Sequence, residues 1–395
     1  MSYSLDAIFK NSSWAISQNS YALASLQQRA ATGQDINRIS DEPTDANQVL
    51  ALMTDARDKE KTLDRLEEVV SILDLSSSVI QSMTDEFGRA RETLTSTLSG
   101  TLNTDLRKTL AADLNNSLEE LATLANTKRM GQSLFAGADS ETTPYVVERN
   151  DQGEIISVNY QGSYQEQDVK ITGELSMSAM LVGDSIFRIH DRQEPVFYGE
   201  TGATAGSGTN SVTGDITLTV TGSPGNWQLS IDGGANTITV NGTETNVPLV
   251  HSETGEVLYV DASGITQAGE EPIRIPGTYD IFNVLICARD LLQNESDLSE
   301  QQLQEMLRDT VESMDLVDQR LVRAFPIVGG RIQTLTNFKD SVEEMKLNTD
   351  EEISRLQDTD ITQVAIDLAR YQTLYEMSLN IAAKMFNLSL LDFLQ

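Results

Sequence analysis

At 395 residues the chain exceeds one ordinary core and suffices for two or three domains; with 39% hydrophobic and 22% charged residues it is neither disordered nor fibrous. Sixty acids against 28 bases give a net charge of −32, which argues against nucleic acid and against anionic lipid as partners. One cysteine (Cys287) and two histidines (His190, His251) exclude a disulfide framework within one chain and a cysteine-based zinc site, and leave little room for histidine chemistry.

The N-terminus, MSYSLDAIFK, has no basic stretch followed by a long apolar one, so it predicts no cleavable secretory signal. No run approaches the ~20 apolar residues a membrane span needs. Taken alone this predicts a cytoplasmic protein, although export by a route without such a signal leaves the same trace. Residues 1–34 hold one acid and two bases, a net of +1, and residues 361–395 hold three acids and two bases, a net of −1. The negative charge therefore sits between residues 35 and 360. Unpaired charge is costly to bury, so two nearly neutral ends are suited to contacts among many copies, or to closing one globular domain as a helix pair.

A first helix ends at Gly33, which can adopt a left-handed conformation there; Ser40 or Asp41 can cap the next helix, with Pro43 in its first turn. Leu63, Leu66, Val70, Leu73, Ser77, Ile80, Thr84 and Phe87 alternate by three and four and predict one helical stripe. A second, shorter stripe runs through Leu106, Leu110, Leu114, Leu118, Leu121 and Ala125, after a break at Gly100–Asn103. Six of eight prolines lie between Pro144 and Pro276, and 18 of 25 glycines between Gly137 and Gly269, so this middle cannot be helical. A segment around Tyr160, Val169 and Ile171 reads as a hairpin. Gly202, Gly206 and Gly208 fail both phosphate-loop patterns and read as a flexible lead into the first strand of the insertion. Ile216, Leu218 and Val220 alternate with threonines, and Leu229 and Ile231 pair with Ile238 and Val240 across an Asp232–Asn236 turn. From 193 to 273 there are ten acids and no Lys or Arg, the composition of a solvent-exposed domain.

Cys287 reads as a small buried residue in an Ile281–Leu292 helix, and Trp227 and Tyr259 as hairpin or core packing. The last helix carries Ile361, Val364, Leu368, Tyr371, Tyr375, Ser378, Ala382 and Met385 on one stripe, and Leu374, Met377, Ile381, Leu388 and Leu391 on another. A helix apolar on two faces needs more than one partner. The predicted fold class is α+β and multidomain, a long α-helical bundle or coiled coil built from both chain ends around an inserted β-rich outer domain. Its expected parts are terminal helices at 1–42 plus 356–395, a helical rod at 43–143 plus 277–355, β-hairpin elements at 144–190, and an acidic β-rich outer domain at 191–276. Asp41, Glu42 and Asp45 read as an acidic first helical turn and not as a metal site, and His190 beside Asp191 lacks a nucleophile. No enzyme, cofactor or metal is predicted.

The passage Leu26-Gln27-Gln28-Arg29-Ala30-Ala31-Thr32-Gly33-Gln34-Asp35-Ile36-Asn37-Arg38-Ile39-Ser40-Asp41-Glu42-Pro43 resembles the helix–Gly–x–x–Ile–Asn–x–x–Ser–Asp–x–Pro segment of the flagellin family. In order, Asn126–Gly137, Tyr160–Gly162, Gly183–Phe187 and Ser389–Leu394 are similar to further parts of that family. The likeness covers about residues 1–190 and 275–395; residues 191–274 match no part of it, and Gln34 and Asp35 stand where the family usually has bases.

The resemblance implies a structural subunit of the bacterial flagellum, exported unfolded through a type III channel. It implies a junction between hook and filament in preference to a filament subunit, because of the Ser40-Asp41-Glu42-Pro43 form. It further implies polymerisation through terminal helices into a ring of copies, adjacent hook-associated and flagellin subunits as partners, and a cytoplasmic export chaperone on the C-terminal segment. The expected assembly contacts are Leu5, Ile8, Ile16, Leu23, Leu26, Val364, Leu368, Tyr371, Tyr375, Leu379, Ala382, Met385, Leu388 and Leu391. The junction motif is Gly33, Ile36, Asn37, Ser40, Asp41 and Pro43. A filament flagellin, or a surface adhesin binding through the acidic β insertion, are the alternatives.

Overall fold

The structure, a computed structural model, describes residues 2–37, 42–98, 103–170, 176–294 and 298–393. The chain order is α1 (Ser2–Thr32), α2 (Pro43–Thr97), α3 (Thr104–Ala125), the short pair β1 (Lys128–Arg129) and β2 (Gln132–Ser133), the hairpin β3 (Tyr145–Arg149) and β4 (Ile155–Tyr160), a second hairpin β5 (Gln167–Lys170) and β6 (Ser176–Met180), and α4 (Gly183–Phe187). Then come β7 (Val196–Phe197), β8 (Thr204–Ala205), β9 (Gly214–Ser223), β10 (Asn226–Ser230), β11 (Ile238–Val240), β12 (Val247–Val250), β13 (Val257–Asp261) and β14 (Gly269–Ile275), followed by α5 (Asn283–Gln293), α6 (Glu300–Gln357) and α7 (Ile361–Phe393). This is the expected α+β arrangement, with helices from both ends and sheets between them. Two compact units result, Met1–Arg65 with Asn337–Gln395, and Leu66–Thr336.

In the second unit, the α2 face that is buried runs Leu66, Val69, Leu73, Ser76, Ile80, Met83, Phe87, Ala90 and Leu94, an unbroken three–four alternation. The predicted stripe shares Leu66, Leu73, Ile80 and Phe87 but places Val70, Ser77 and Thr84 where the structure buries Val69, Ser76 and Met83. Both i+3 and i+4 lie beside position i on a helix, so the sequence period alone leaves that choice open. Buried Ser76 donates its hydroxyl to the Ile72 carbonyl at 2.9 Å, which satisfies it. In α3 the buried set is Ala111, Leu114, Leu118, Leu121, Ala122 and Ala125. Leu106 is exposed instead: it lies in the first turn, where its N–H is taken by the Asn103 cap at 2.7 Å.

Tyr160 and Val169 fall in two separate hairpins rather than one, and Ile171 lies outside the described residues. The first hairpin is anchored by aromatic rings: Tyr145 stands 4.9 Å from Phe282, 5.2 Å from Tyr160 and 5.9 Å from Phe187, centroid to centroid. Burial of such rings contributes about 1.5–3 kcal/mol each and fastens β3–β4 to α4 and α5.

The insertion consists of two antiparallel sheets, ordered β11-β10-β9-β14-β7 and β12-β13-β8. Leu229 pairs with Ile238 and Trp227 with Val240, close to the predicted hairpin. Leu218, Val220, Trp227 and Leu229 of one sheet share a buried core with Leu249, Leu258 and Val260 of the other, so alternate residues face inward from both. The glycines expected to form a flexible lead are packed instead. Gly202 has φ +89° and abuts the Gly264 carbonyl, and a Cβ at Gly208 would enter the Tyr259 ring. They are required by close approach, not by mobility.

Three elements meet at buried Arg274, whose Nε and Nη2 donate to Asp215 at 2.9 and 2.8 Å and whose Nη1 donates to the Met306 carbonyl at 3.0 Å. The Tyr279 hydroxyl also bonds Asp215, and its ring lies 5.5 Å from the guanidinium. Burial raises the Asp215 carboxyl, but the Arg274 charge and the hydrogen bonds of Arg274 and Tyr279 outweigh it and leave the group below its ordinary value. This cluster ties β9 and β14 to α6.

Midway along α6, Pro326 removes the N–H that would reach the Val322 carbonyl, and Gly329 and Gly330 follow. A Cβ on either glycine meets nothing within 4 Å, and neither has positive φ. Gly329→Ala and Gly330→Ala are therefore expected to stabilise the chain by roughly 0.5–1 kcal/mol each, seen as higher urea midpoints. Unchanged or lower midpoints would show that the glycines serve the backbone in some other way.

Candidate assembly interface

In the first unit α1 packs along α7. The α1 side chains turned inward are Ala15, Ile16, Asn19, Ala22, Leu23 and Leu26, each half-buried, again at three–four spacing. The α7 partners are buried Val364 and half-buried Leu368, Tyr371, Tyr375, Ser378 and Ala382. Asn19 Nδ2 donates to Ser378 Oγ at 3.0 Å across the seam. Of the predicted contacts, Ile16, Leu23, Leu26, Val364, Leu368, Tyr371, Tyr375 and Ala382 thus meet in one chain. Leu379 stands apart on the exposed side, 44% accessible. The side chains of Leu5, Ile8, Met385, Leu388 and Leu391 lie outside the described residues.

Outside this seam several large apolar side chains are bare. Ile366, Met377 and Ile381 are 58%, 55% and 49% exposed, and Trp14 and Tyr21, one heptad apart on α1, are 67% and 75% exposed. The two-sidedness read for α7 is present as surface. Trp14, Tyr21 and Ile366 are additions that a stripe search misses, because isolated large residues do not set a period.

At the foot of the pair, Gly33 takes φ +73° and its N–H reaches the Arg29 carbonyl at 2.8 Å, ending α1 as its sequence predicts. The chain then bridges to the end of α6. Asp35 N–H donates to the Gln357 carbonyl at 2.7 Å, and Thr359 N–H donates to the Gly33 carbonyl at 3.0 Å. Asn37 Nδ2 donates to the Gln34 carbonyl at 2.8 Å, which holds the turn. Ile36 is buried and lines a small pocket of about 140 Å³ with Ala46, Val49 and Met53. Pro43 opens α2, while Ser40 and Asp41 lie outside the described residues. Asp35, standing where bases were expected, pairs with Arg29 at 2.5 Å; both are over a third exposed, so the pair contributes at most about 1 kcal/mol. Beside Pro43, a hydrogen bond and charge from Asp45 raise the Glu42 carboxyl. On the other side of the junction, Asp360 caps α7: its Oδ1 accepts from Thr362 and Gln363 N–H at 2.8 and 3.2 Å. An Asp directly before an apolar run was the available signal.

Elsewhere His190 approaches Asp184, at 3.3 Å, and not Asp191; Arg188 joins Asp184 and Asp280 at 2.8 Å each. Among the described residues no cluster of His, Cys, Asp and Glu could hold a metal ion, and no helix is long and apolar enough to cross a membrane. Cys287 is half-buried against Asp215, and burial pushes its thiol up, which makes it a poor nucleophile.

Residues 7–140 match the bacterial flagellin N-terminal helical region. The first third of the chain is of the flagellin type. This flagellin-type region takes in α1, α2, α3 and the Gly33 turn. Flagellar hook-associated protein 3 of Escherichia coli (strain K12) is 26% identical over 189 residues, 47% of this chain and 57% of that relative. Its namesake from Salmonella typhimurium is 31% identical over 122 residues, 30% of this chain and 38% of the relative. The matches thus span 57% and 38% of the length of these two curated relatives. A crystal structure of flagellar hook-associated protein-3 from Legionella pneumophila has the same fold, with a TM-score of 0.52 and 17% identity, covering 78% of this chain and 98% of that one. The flagellin-type likeness thus joins the sequence motifs to a shared architecture.

Proposed function

We propose that this protein is a structural subunit of the bacterial flagellum that forms the junction between hook and filament, polymerising through its terminal helices. The observation that carries the reading is the α1–α7 pair, which closes one apolar seam within the chain and leaves a second bare on helices with almost no net charge. Isolated helices are marginal, because nucleation is costly; docking against neighbouring copies would supply about 25 cal/mol per Å² of apolar area buried, before ordering costs. The partners in this reading are further copies in a ring, an adjacent hook-associated protein and flagellin subunits, with an export chaperone on the C-terminal segment. Its place is outside the cell, and its work is mechanical, not catalytic. Antibody labelling of intact cells tests it. One spot at the base of each filament is expected, and staining along the whole filament would instead mark a filament flagellin.

A further inference from the structure

Between Asp318 and Asp340 the chain has Arg320, Arg323, Arg331 and Lys339 and no acid, an island of positive charge in a molecule of net −32. The three arginines line one pocket of about 140 Å³ on α6, with an apolar floor that includes Leu181 and Ile186. Arg320 Nε donates to the Ser185 carbonyl at 3.0 Å, and Arg331 Nη2 to the Glu166 carboxylate at 2.8 and 3.0 Å. Nη1 of Arg331 is buried with no hydrogen-bond partner. Arg323 is exposed and makes no ion pair among the described residues. At the centre Ile327 is 57% exposed. Three guanidiniums therefore face a single local carboxylate around an uncovered apolar residue, the composition of a contact centre.

The same chain holds the complement. Residues 193–273 have ten acids and no Lys or Arg to neutralise them. Glu194, Glu200, Glu253 and Glu270 are exposed there, their carboxylates accept no hydrogen bond among the described residues, and none lines the pocket. Copies of so acidic a chain repel each other unless their scarce bases meet acids. We propose that the Arg320–Arg323–Arg331 pocket receives carboxylates from the acidic β insertion of a second copy of this chain, with Ile327 packed beneath them. The inference rests on the self-assembly proposed above and adds the contact that orients one copy on the next.

A photo-crosslinking amino acid at Ile327, in flagella sheared from cells expressing only that variant, tests it. A crosslink to residues 193–273 of another copy is expected. A crosslink only to a different protein or to another segment of a copy, or none although the chain is present, overturns the contact. Absence of the unmodified chain from flagella overturns the assembly reading and the contact with it. As a second variant, Arg323→Glu breaks no bond within the chain, so its melting midpoint is expected to stay constant while its recovery in flagella falls about tenfold. Combining it with Glu200→Lys, Glu253→Lys and Glu270→Lys is expected to restore part of that loss. Wild-type recovery of Arg323→Glu alone would overturn the proposal.

Discussion

Asp215→Asn is expected to destabilise the unit spanning residues 66–336 by about 3–5 kcal/mol, the typical cost of leaving one member of a buried ion pair without its partner. The Arg274 side chain is 1% exposed and that of Asp215 is 21% exposed, so the guanidinium cannot be solvated where it stands. After the substitution Arg274 retains the Met306 carbonyl, the Tyr279 ring and at most one neutral amide oxygen in place of the charged carboxylate. The double variant Asp215→Leu with Arg274→Met removes both charges and should recover most of the loss. Urea unfolding of the full chain, followed by Trp227 fluorescence, measures all three. A double variant no more stable than Asp215→Asn would mean that the cluster acts through shape and not charge. The pH dependence has a definite sign. Asp215 is held below its ordinary value of 3.8, so its stabilisation is complete above that value and is lost as pH falls through the lowered native one. The Asn variant is expected to lack this part of the acid transition.

Leu368→Asp combined with Tyr375→Asp is expected to abolish incorporation into flagella while the melting midpoint of the β insertion stays unchanged. Both side chains face α1, and Val364 and Tyr371 share their stripe. Two carboxylates in that seam have no base opposite them and must either be desolvated at a cost of several kcal/mol or hold the helices apart. Met377→Asp with Ile381→Asp separates two meanings of the loss, because those residues are exposed within one chain. If the bare face serves copies, this second variant should keep α1 and α7 paired, as read by protease protection of residues 1–34, and still be missing from sheared flagella. Normal incorporation of either variant would remove the terminal helices from the assembly argument.

Much of the architecture was legible because its signals are local. Proline and glycine concentrated in the middle leave room there for no helix longer than the single turn of α4, the three–four spacing places stripes on the flanks, and the Asp232–Asn236 turn predicts the Leu229–Ile238 pairing. Gly33 announces the end of α1 by its chemistry alone. What eluded the sequence depends on neighbours distant along the chain. The choice of Val69, Ser76 and Met83 over Val70, Ser77 and Thr84 is a rotation of α2 about its own axis, decided by what packs against it. The Gly202 and Gly208 contacts need Gly264 and Tyr259, some fifty to sixty residues later. Arg274 finding Asp215, Tyr279 and the Met306 carbonyl is likewise a product of β9, β14 and α6 converging, and no spacing encodes it.

The candidate interface divides along the same line. Composition by itself established that both ends are nearly uncharged and that α7 is apolar on two sides, since charge and period are properties of a segment. Only the folded chain decided which of those sides is spent on α1, and that Trp14, Tyr21, Ile366, Met377 and Ile381 remain uncovered. Burial is a relation between surfaces, and a one-dimensional pattern lists the surfaces without saying which will meet.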